Sequence, residues 1–453
     1  MREPSSLEHD ALGLAHSAVM GVAGTAPAYS IAATTATLIA AVGVLAPASL
    51  LYCGLIMFGI TFAFAHLNRM EANAGATYAW VSRIFNDTLG FFAGWTVLVS
   101  SVLFMVSATI PAANATVLLL APELIESKFV ITMVAMGWLL AVSTLLIRGI
   151  AITGRVQSVI TGVEIAVLAL VLLAAAFQYG HLALHRISWA AFSPAQFDLT
   201  SFSTGAVISL FFFWGWDVAL NLNEETRDAS RTPGLGAMVA MIVIMSAFIA
   251  FSAMTLELLS DEEIRQSSTN VMLAVADKLF PRPWSYVAVL AVMLSTIGTL
   301  ATSILQFTRT LYAKSRAGAL HARWSRIHER WKTPYAATLL IVLLGAFLLV
   351  LSLLFASIDD VLRVSIDAIS VQAAYYYSFA GFACAWHFRA AAAKSLFNLL
   401  FMVLWPAASA TVLWIAAILN LAGFDAPTAV IAIGGILIGF IPLTISRRAN
   451  RKP

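Results

Sequence analysis

Charge is scarce in this chain. Of its 453 residues, 11% are Asp, Glu, Lys or Arg and 60% are hydrophobic. A soluble globular protein of this length is excluded, because its surface needs far more charge than that. The 26 basic and 23 acidic residues leave a formal net charge of +3, with no basic stripe interleaved with aromatics. Nucleic acid is therefore not an expected partner. Cysteine is nearly missing: Cys53 and Cys384 both fall in apolar runs, which excludes a disulfide framework and a thiolate metal cluster. The eight histidines stand near loops and tails without ligand spacing, so no metal is expected. No nucleophile–base constellation and no phosphate-cradling loop is present, which argues against an enzyme and against a bound cofactor. The start, Met1 to Asp10, is polar, and the first apolar run is too long for a signal-peptide core. A retained, uncleaved N-terminus is expected.

What the chain does have is apolar runs of bilayer length, about 20 residues each. Twelve spans are predicted, near 14–43, 47–66, 89–120, 129–147, 156–178, 203–222, 236–259, 285–313, 334–356, 365–387, 397–419 and 427–446. The expected class is an all-α integral membrane protein whose main partner is the lipid bilayer. The polar stretch Ser260 to Pro283 is long enough to hold a short helix over the outer surface. All but six of the 26 basic residues fall on one side of these spans, many of them in the Lys314–Lys332 loop. The six are Lys128, Arg186, Arg265, Lys278, Arg282 and Arg363. The basic side is predicted to be cytoplasmic, and an even span count places both termini there, the tail residues Arg447, Arg448, Arg451 and Lys452 included.

The first span is interrupted. In Gly21-Val22-Ala23-Gly24-Thr25-Ala26-Pro27-Ala28-Tyr29, two glycines weaken the helix and Pro27 lacks the N–H that would bond back toward Ala23. One helix is expected to end near Val22 and another to start near Ala26, with Thr25 or a neighbour as cap. A glycine-packed, proline-kinked helix is the alternative. The sixth span is interrupted too. It reads Phe211-Phe212-Phe213-Trp214-Gly215-Trp216-Asp217, with a glycine between tryptophans and then an acid. An ionisable residue within a span faces the protein interior and marks function by default; a local polar contact for Asp217 is the alternative. Spans one and six each open a set of five. Broken helices at matching positions of two halves point to a transporter of inverted repeats with its site at the midplane.

The free ends of broken helices assign the chemistry. The N-terminal end of the helix starting near Ala26 offers N–H groups and suits a carboxylate. The carbonyls near Met20 to Ala23, and those near Phe211 to Trp214, suit an ammonium group. One break thus presents both polarities of an α-amino acid. The candidate substrate site is Val22, Ala23, Gly24, Thr25, Ala26, Tyr29, Phe211, Phe212, Phe213, Trp214 and Gly215.

Four stretches resemble the amino acid–polyamine–organocation (APC) permease family. They are Gly24-Thr25-Ala26 in the first break, Asn73 to Arg83 after span two, Phe213 to Asp217 with Glu224-Glu225 and then Arg231 and Pro233, and Arg309 to Tyr312 running through Gly318 into a basic loop ending Thr333-Pro334. In order and in register they are fairly specific and cover most of the first eight spans. The resemblance implies a LeuT-like five-plus-five inverted repeat with helices 1 and 6 broken. Its units would be a cytoplasmic tail (1–13), a first repeat (14–178), a second repeat (203–387), spans eleven and twelve (397–446) and a second tail (447–453). It implies a secondary transporter of the plasma membrane that moves amino acids by alternating access, with polyamines, other organic amines or K⁺ as the alternative cargo. A membrane sensor that has lost transport is the reading from another class. Three positions depart from the family pattern: Ala26 stands for a glycine, Asp217 for the more usual Glu, and Glu164 for a lysine carried by many relatives.

Coupling and gating candidates follow. Glu164, inside span five, can carry a proton if it gains and loses one during the cycle; a carboxyl tied to a neighbouring hydroxyl is the alternative. Ser295 and Thr299 share a face of span eight, where sodium-coupled relatives bind Na⁺ between hydroxyls and span-one carbonyls; interhelical hydrogen bonding is the alternative. H⁺ is the expected coupling ion, with Na⁺ as the other candidate. Tyr375, in a run of three tyrosines, either gates the site or packs. The particular substrate and the oligomeric state are not legible.

Overall fold

In the computed structural model, residues 6–179, 188–267, 270–354 and 358–449 are described. Arg186, Arg451, Lys452 and the first five residues, all invoked above, lie outside them. Every regular element among the described residues is helical, apart from an isolated parallel bridge between Leu12 and Thr226. The first half holds α1 (Leu14–Thr25), α2 (Pro27–Val42), α3 (Ala46–Met70), α4 (Thr77–Ile84), α5 (Asp87–Leu120), α6 (Lys128–Ile147) and α7 (Ile150–Tyr179). The second begins with α8 (Leu199–Phe212), α9 (Val218–Asn221), α10 (Thr232–Leu258), α11 (Asp261–Ser267), α12 (Val271–Leu279), α13 (Val287–Arg316), α14 (Tyr335–Ser352) and α15 (Ile358–His387). A single turn, α16 (Leu396–Asn398), passes through a π-helical stretch (Leu399–Leu404) into α17 (Trp405–Gly423), followed by α18 (Ala426–Leu437) and α19 (Phe440–Ala449).

Nine stretches among the described residues are helical, long and apolar enough to cross a membrane. The first, Leu14–Met70, takes in α1, α2 and α3 together. Apolar residues run all round these helices, as they must when one side meets protein and the other lipid. Phe129, Val159, Leu173, Phe347 and Val350 are accordingly exposed on the outside of the bundle. The interior is built on α1, α5, α10 and α13; from Ser295 to Ser315 every residue of α13 is buried. Small residues let these helices approach closely. A side chain at Gly21 would strike Ala240 of α10, and one at Gly234 would strike Ala65 of α3.

Several expectations change in detail. The first half-helix runs to Thr25 rather than stopping near Val22, because Thr25 still turns its hydroxyl back to the Val22 carbonyl (2.8 Å). The segment after span two holds a short helix of its own, Thr77–Ile84, which the Trp80 indole N–H anchors to the Glu71 carbonyl (2.8 Å). The polar stretch Ser260–Pro283 holds two helices, α11 and α12, and α12 packs on α2. The last predicted span is divided at Ile438–Gly439, where the indole of Trp95 takes the space a side chain on Gly439 would need.

Candidate functional site

The chain breaks at Ala26, which adopts φ 47° and ψ 66°. That left-handed conformation costs a residue with a Cβ about 1–2 kcal/mol. It is fixed on both sides: Pro27 cannot continue the ladder, and the Ala26 N–H closes the first helix by donating to the Ala23 carbonyl (3.2 Å). The second helix then starts with donors aimed inward. Their partners come from two other helices. The Ala28 N–H donates to Oε1 of Glu164 on α7 (3.0 Å), and the Tyr29 N–H to Oγ of Ser295 on α13 (3.3 Å). Glu164, Ser295 and Tyr29 are all buried. Of the N–H groups at the start of α2, that of Ala28 is thus bound by a carboxylate of the chain itself and that of Tyr29 by a hydroxyl.

The second break lies between α8 and α9. Gly215 has φ +103°, which only glycine adopts freely, and its N–H donates to the Tyr377 hydroxyl (3.2 Å). Tyr377 in turn donates to Oδ1 of Asp217 (2.7 Å), and Tyr376 reaches the same oxygen (3.3 Å). Oδ2 of Asp217 accepts from Nε2 of Gln306 on α13 (2.6 Å). Three side-chain donors therefore converge on one buried carboxylate. Tyr377 also stacks flat on Trp216, with ring centres 5.7 Å apart.

The two breaks lie against each other. A side chain on Gly24 would overlap the Gly215 carbonyl, and one on Gly215 would overlap the Gly24 carbonyl. Gly24 therefore serves a backbone-to-backbone contact. Thr299 of α13 pins this seam by donating to the Gly24 carbonyl (2.9 Å). So Glu164, Ser295, Thr299 and Asp217 surround the seam with the α1 carbonyls of Val22 and Ala23. The aromatic residues divide. Trp214 packs on Phe104 of α5 (4.8 Å), while Phe212 and Phe213 turn to Phe248 of α10 (5.0 and 5.4 Å) and belong to packing. Phe211 is buried. Tyr375 also turns away, toward Phe379 and Trp414 (4.7 and 5.7 Å); its neighbours Tyr376 and Tyr377 hold the acid instead. Gln306 was legible in principle, since 295, 299, 302 and 306 repeat on one helical face. Nothing in a Tyr-Tyr-Tyr run says which ring points inward.

The remaining motif stretches meet further along α13. Glu225 and Arg309 form a buried two-point ion pair (2.9 and 2.8 Å). Asn221 bonds the Ala74 carbonyl and Thr310, Asn223 bonds Asn68 and the Asn73 carbonyl, and the Ala74 N–H bonds Glu224. Segments far apart in sequence thereby close one end of the bundle, with Arg227 tying in the N-terminal segment at the Asp10 carbonyl (3.0 Å).

Comparison with known proteins agrees with this architecture. The family model described as "Amino acid permease" matches residues 10–445. The low-affinity putrescine importer PlaP of Escherichia coli K12 is 28% identical over 299 residues, 63% of this chain and 62% of that protein. The branched-chain amino acid permease BcaP of Bacillus subtilis is 22% identical, covering 58% of each. The chain thus matches about three fifths of the length of these curated relatives. A crystal structure of a point mutant of the Eremococcus coleocola manganese transporter superposes with a TM-score of 0.64 at 14% identity, covering 97% of this chain and 95% of that one. That likeness speaks for the fold alone.

Proposed function

Because the chain belongs to the amino acid permease family, we propose that it is a secondary transporter carrying small amino compounds, amino acids or amines, across the plasma membrane by alternating access. The observation that carries this reading is the seam itself: two broken helices touching at Gly24 and Gly215, with hydroxyls and carboxylates from α7, α13 and α15 around them. A break at membrane depth is tolerated where protein satisfies it or it lines a wet path. A seam of bare backbone can part without unpacking side chains, as a site that opens alternately to two sides requires. Relatives named for amino acids and for putrescine are consistent with either cargo.

On this reading the chain crosses the membrane twelve times. The Leu14–Met70 stretch divides into two crossings, and the broken α8–α9 pair and the more polar α15 each supply one more. Spans one to five and six to ten would then be the inverted repeats. The bias of Lys and Arg favours cytoplasmic termini and a cytoplasmic 314–332 loop. A cysteine placed at the exposed Ala322 is expected to resist a membrane-impermeant thiol reagent in sealed cells; labelling there overturns the orientation. Proton coupling through Glu164 completes the reading, with Asp217 as the other carboxyl at the seam.

Counterflow tests the function. Proteoliposomes loaded with an unlabelled mixture of amino acids and amines should take up a labelled member of that mixture against its gradient. Binding without counterflow would identify a sensor instead.

A further inference from the structure

A permease that holds an α-amino acid at a helix break needs somewhere to put the carboxylate. The N-terminal end of α2 is such a place, and here it is filled. Glu164 presents Oε1 to the Ala28 N–H at 3.0 Å, and Ser295 Oγ takes the neighbouring Tyr29 N–H at 3.3 Å. Ala26 spends its own N–H on Ala23, so it offers no spare donor at the seam. A substrate carboxylate arriving here would compete with a carboxyl already bound.

The charge around the seam points the same way. Glu164 and Asp217 are both buried, and among the described residues no lysine or arginine pairs with either. Basic side chains do occur on α13, but further along. Arg309 lies about 15 Å beyond Thr299 at 1.5 Å per residue, and it is committed to Glu225. Lys314, further still, donates to the Phe91 carbonyl (2.7 Å) and lies over the Phe91 ring (3.7 Å). The seam therefore holds two acids, several carbonyl oxygens and, among the described residues, no neutralising cation of the chain.

Resting on the transporter reading above, we infer that this site takes amines without a carboxylate, diamines above all, and that Glu164 sets this specificity by occupying the carboxylate position from within. An ammonium group would be drawn to the α1 carbonyls and the two acids, and a second ammonium would use the charge that a monoamine leaves unbalanced. Chain length between the two nitrogens is then a matter of fit along the seam.

The sharpest probes are compounds that differ by one carboxylate. 1,4-Diaminobutane and ornithine share a carbon chain and two amines; 1,5-diaminopentane and lysine form a second such pair. Each is offered to the purified full-length protein, with binding read by thermal shift and transport by counterflow. The expected result is that both diamines bind at least tenfold more tightly than their carboxylated partners. In Glu164→Ala, which frees the Ala28 N–H, that ratio should fall at least tenfold. Equal or tighter binding of ornithine and lysine by the wild type overturns the inference while leaving a transporter. Failure of every amine and amino acid to bind or exchange overturns both the inference and the transport reading. Should Glu164→Ala not fold, the two wild-type pairs still decide. A discrimination unchanged in a folded Glu164→Ala protein removes Glu164 from its role.

Discussion

The break at Ala26 and the break around Gly215 lie against each other, yet their loose ends are satisfied by different means. At the first, backbone N–H groups are taken up by a carboxylate and a hydroxyl from α7 and α13. At the second the order is reversed: a carboxylate of the break itself, Asp217, draws its donors from α13 and α15. The first break is therefore completed by an acid supplied to it, the second by donors supplied to its acid. Each unpaired buried group would cost about 1–3 kcal/mol, so neither arrangement is optional in a folded state. The difference bears on what the proposed transport cycle would have to move. Glu164 need let go of one N–H, whereas Asp217 must release three side chains on two helices. The first is the lighter device to move, and the second the heavier anchor.

The largest effect is expected where the two breaks touch. Gly24→Leu would drive a side chain into the Gly215 backbone, which has no flexible end to yield. We expect the breaks to be forced apart, with loss of the folded protein or a destabilisation of about 3 kcal/mol or more. Gly162→Leu on α7 is the control. No atom outside its own helix lies within 4 Å of a Cβ there, and the change should stay within about 0.5 kcal/mol. Both are read by thermal unfolding in detergent. Wild-type melting of Gly24→Leu would show that the seam is not closed in the dominant state.

The anchor comes next. Asp217→Asn keeps the shape but turns an amide N–H₂ toward groups that are themselves donating, Gln306 among them. About 1–3 kcal/mol of stability should be lost, and transport should fall at least tenfold. Tyr377→Phe should follow the same course more weakly, because it removes one donor to Asp217 and the acceptor for the Gly215 N–H. Tyr375→Phe should do almost nothing, since that ring packs away from the acid. If Tyr375→Phe impairs counterflow as much as Tyr377→Phe, the tyrosine assignment made from geometry is wrong.

How much of this was legible in the sequence depends on the residue. The breaks were, because proline and glycine act through the local backbone, and Gly24, Pro27 and Gly215 report their conformations from position alone. Helical class and membrane character were legible for a similar reason: apolar runs of bilayer length leave few folds open. What occupies a break was not. The reach of Glu164 to the Ala28 N–H joins residues far apart in the chain, and no local rule encodes that. The same holds for the direction of the phenylalanines. Four consecutive aromatics at about 100° per residue cannot all line one pocket, and the packing of α10 took Phe212 and Phe213. Gly24 is legible as a place where a side chain is forbidden; that Gly215, far off in the chain, fills that space is not.

Glu164→Gln is the mildest of these substitutions in shape and sharpens the comparison most. Its amide oxygen can still accept from the Ala28 N–H. Stability should therefore change by no more than about 1 kcal/mol. What is lost is the ability to ionise. The charged and titratable surroundings are sparse: the Ala28 N–H bonds the carboxyl, and no basic side chain pairs with it among the described residues. A proton arriving on this group would thus remove charge from the seam with no counter-ion to compensate, and would weaken its hold on the α2 end. If that step couples transport to protons, Glu164→Gln should still exchange substrate, holding diamines less tightly than the wild type, but lose the dependence of net uptake on an imposed pH gradient. Asp217→Asn, measured beside it, should lose exchange as well, because there the anchor itself is damaged. If uptake by Glu164→Gln follows the pH gradient as the wild type does, the carboxyl only completes the helix end, and the coupling group must be sought at Asp217.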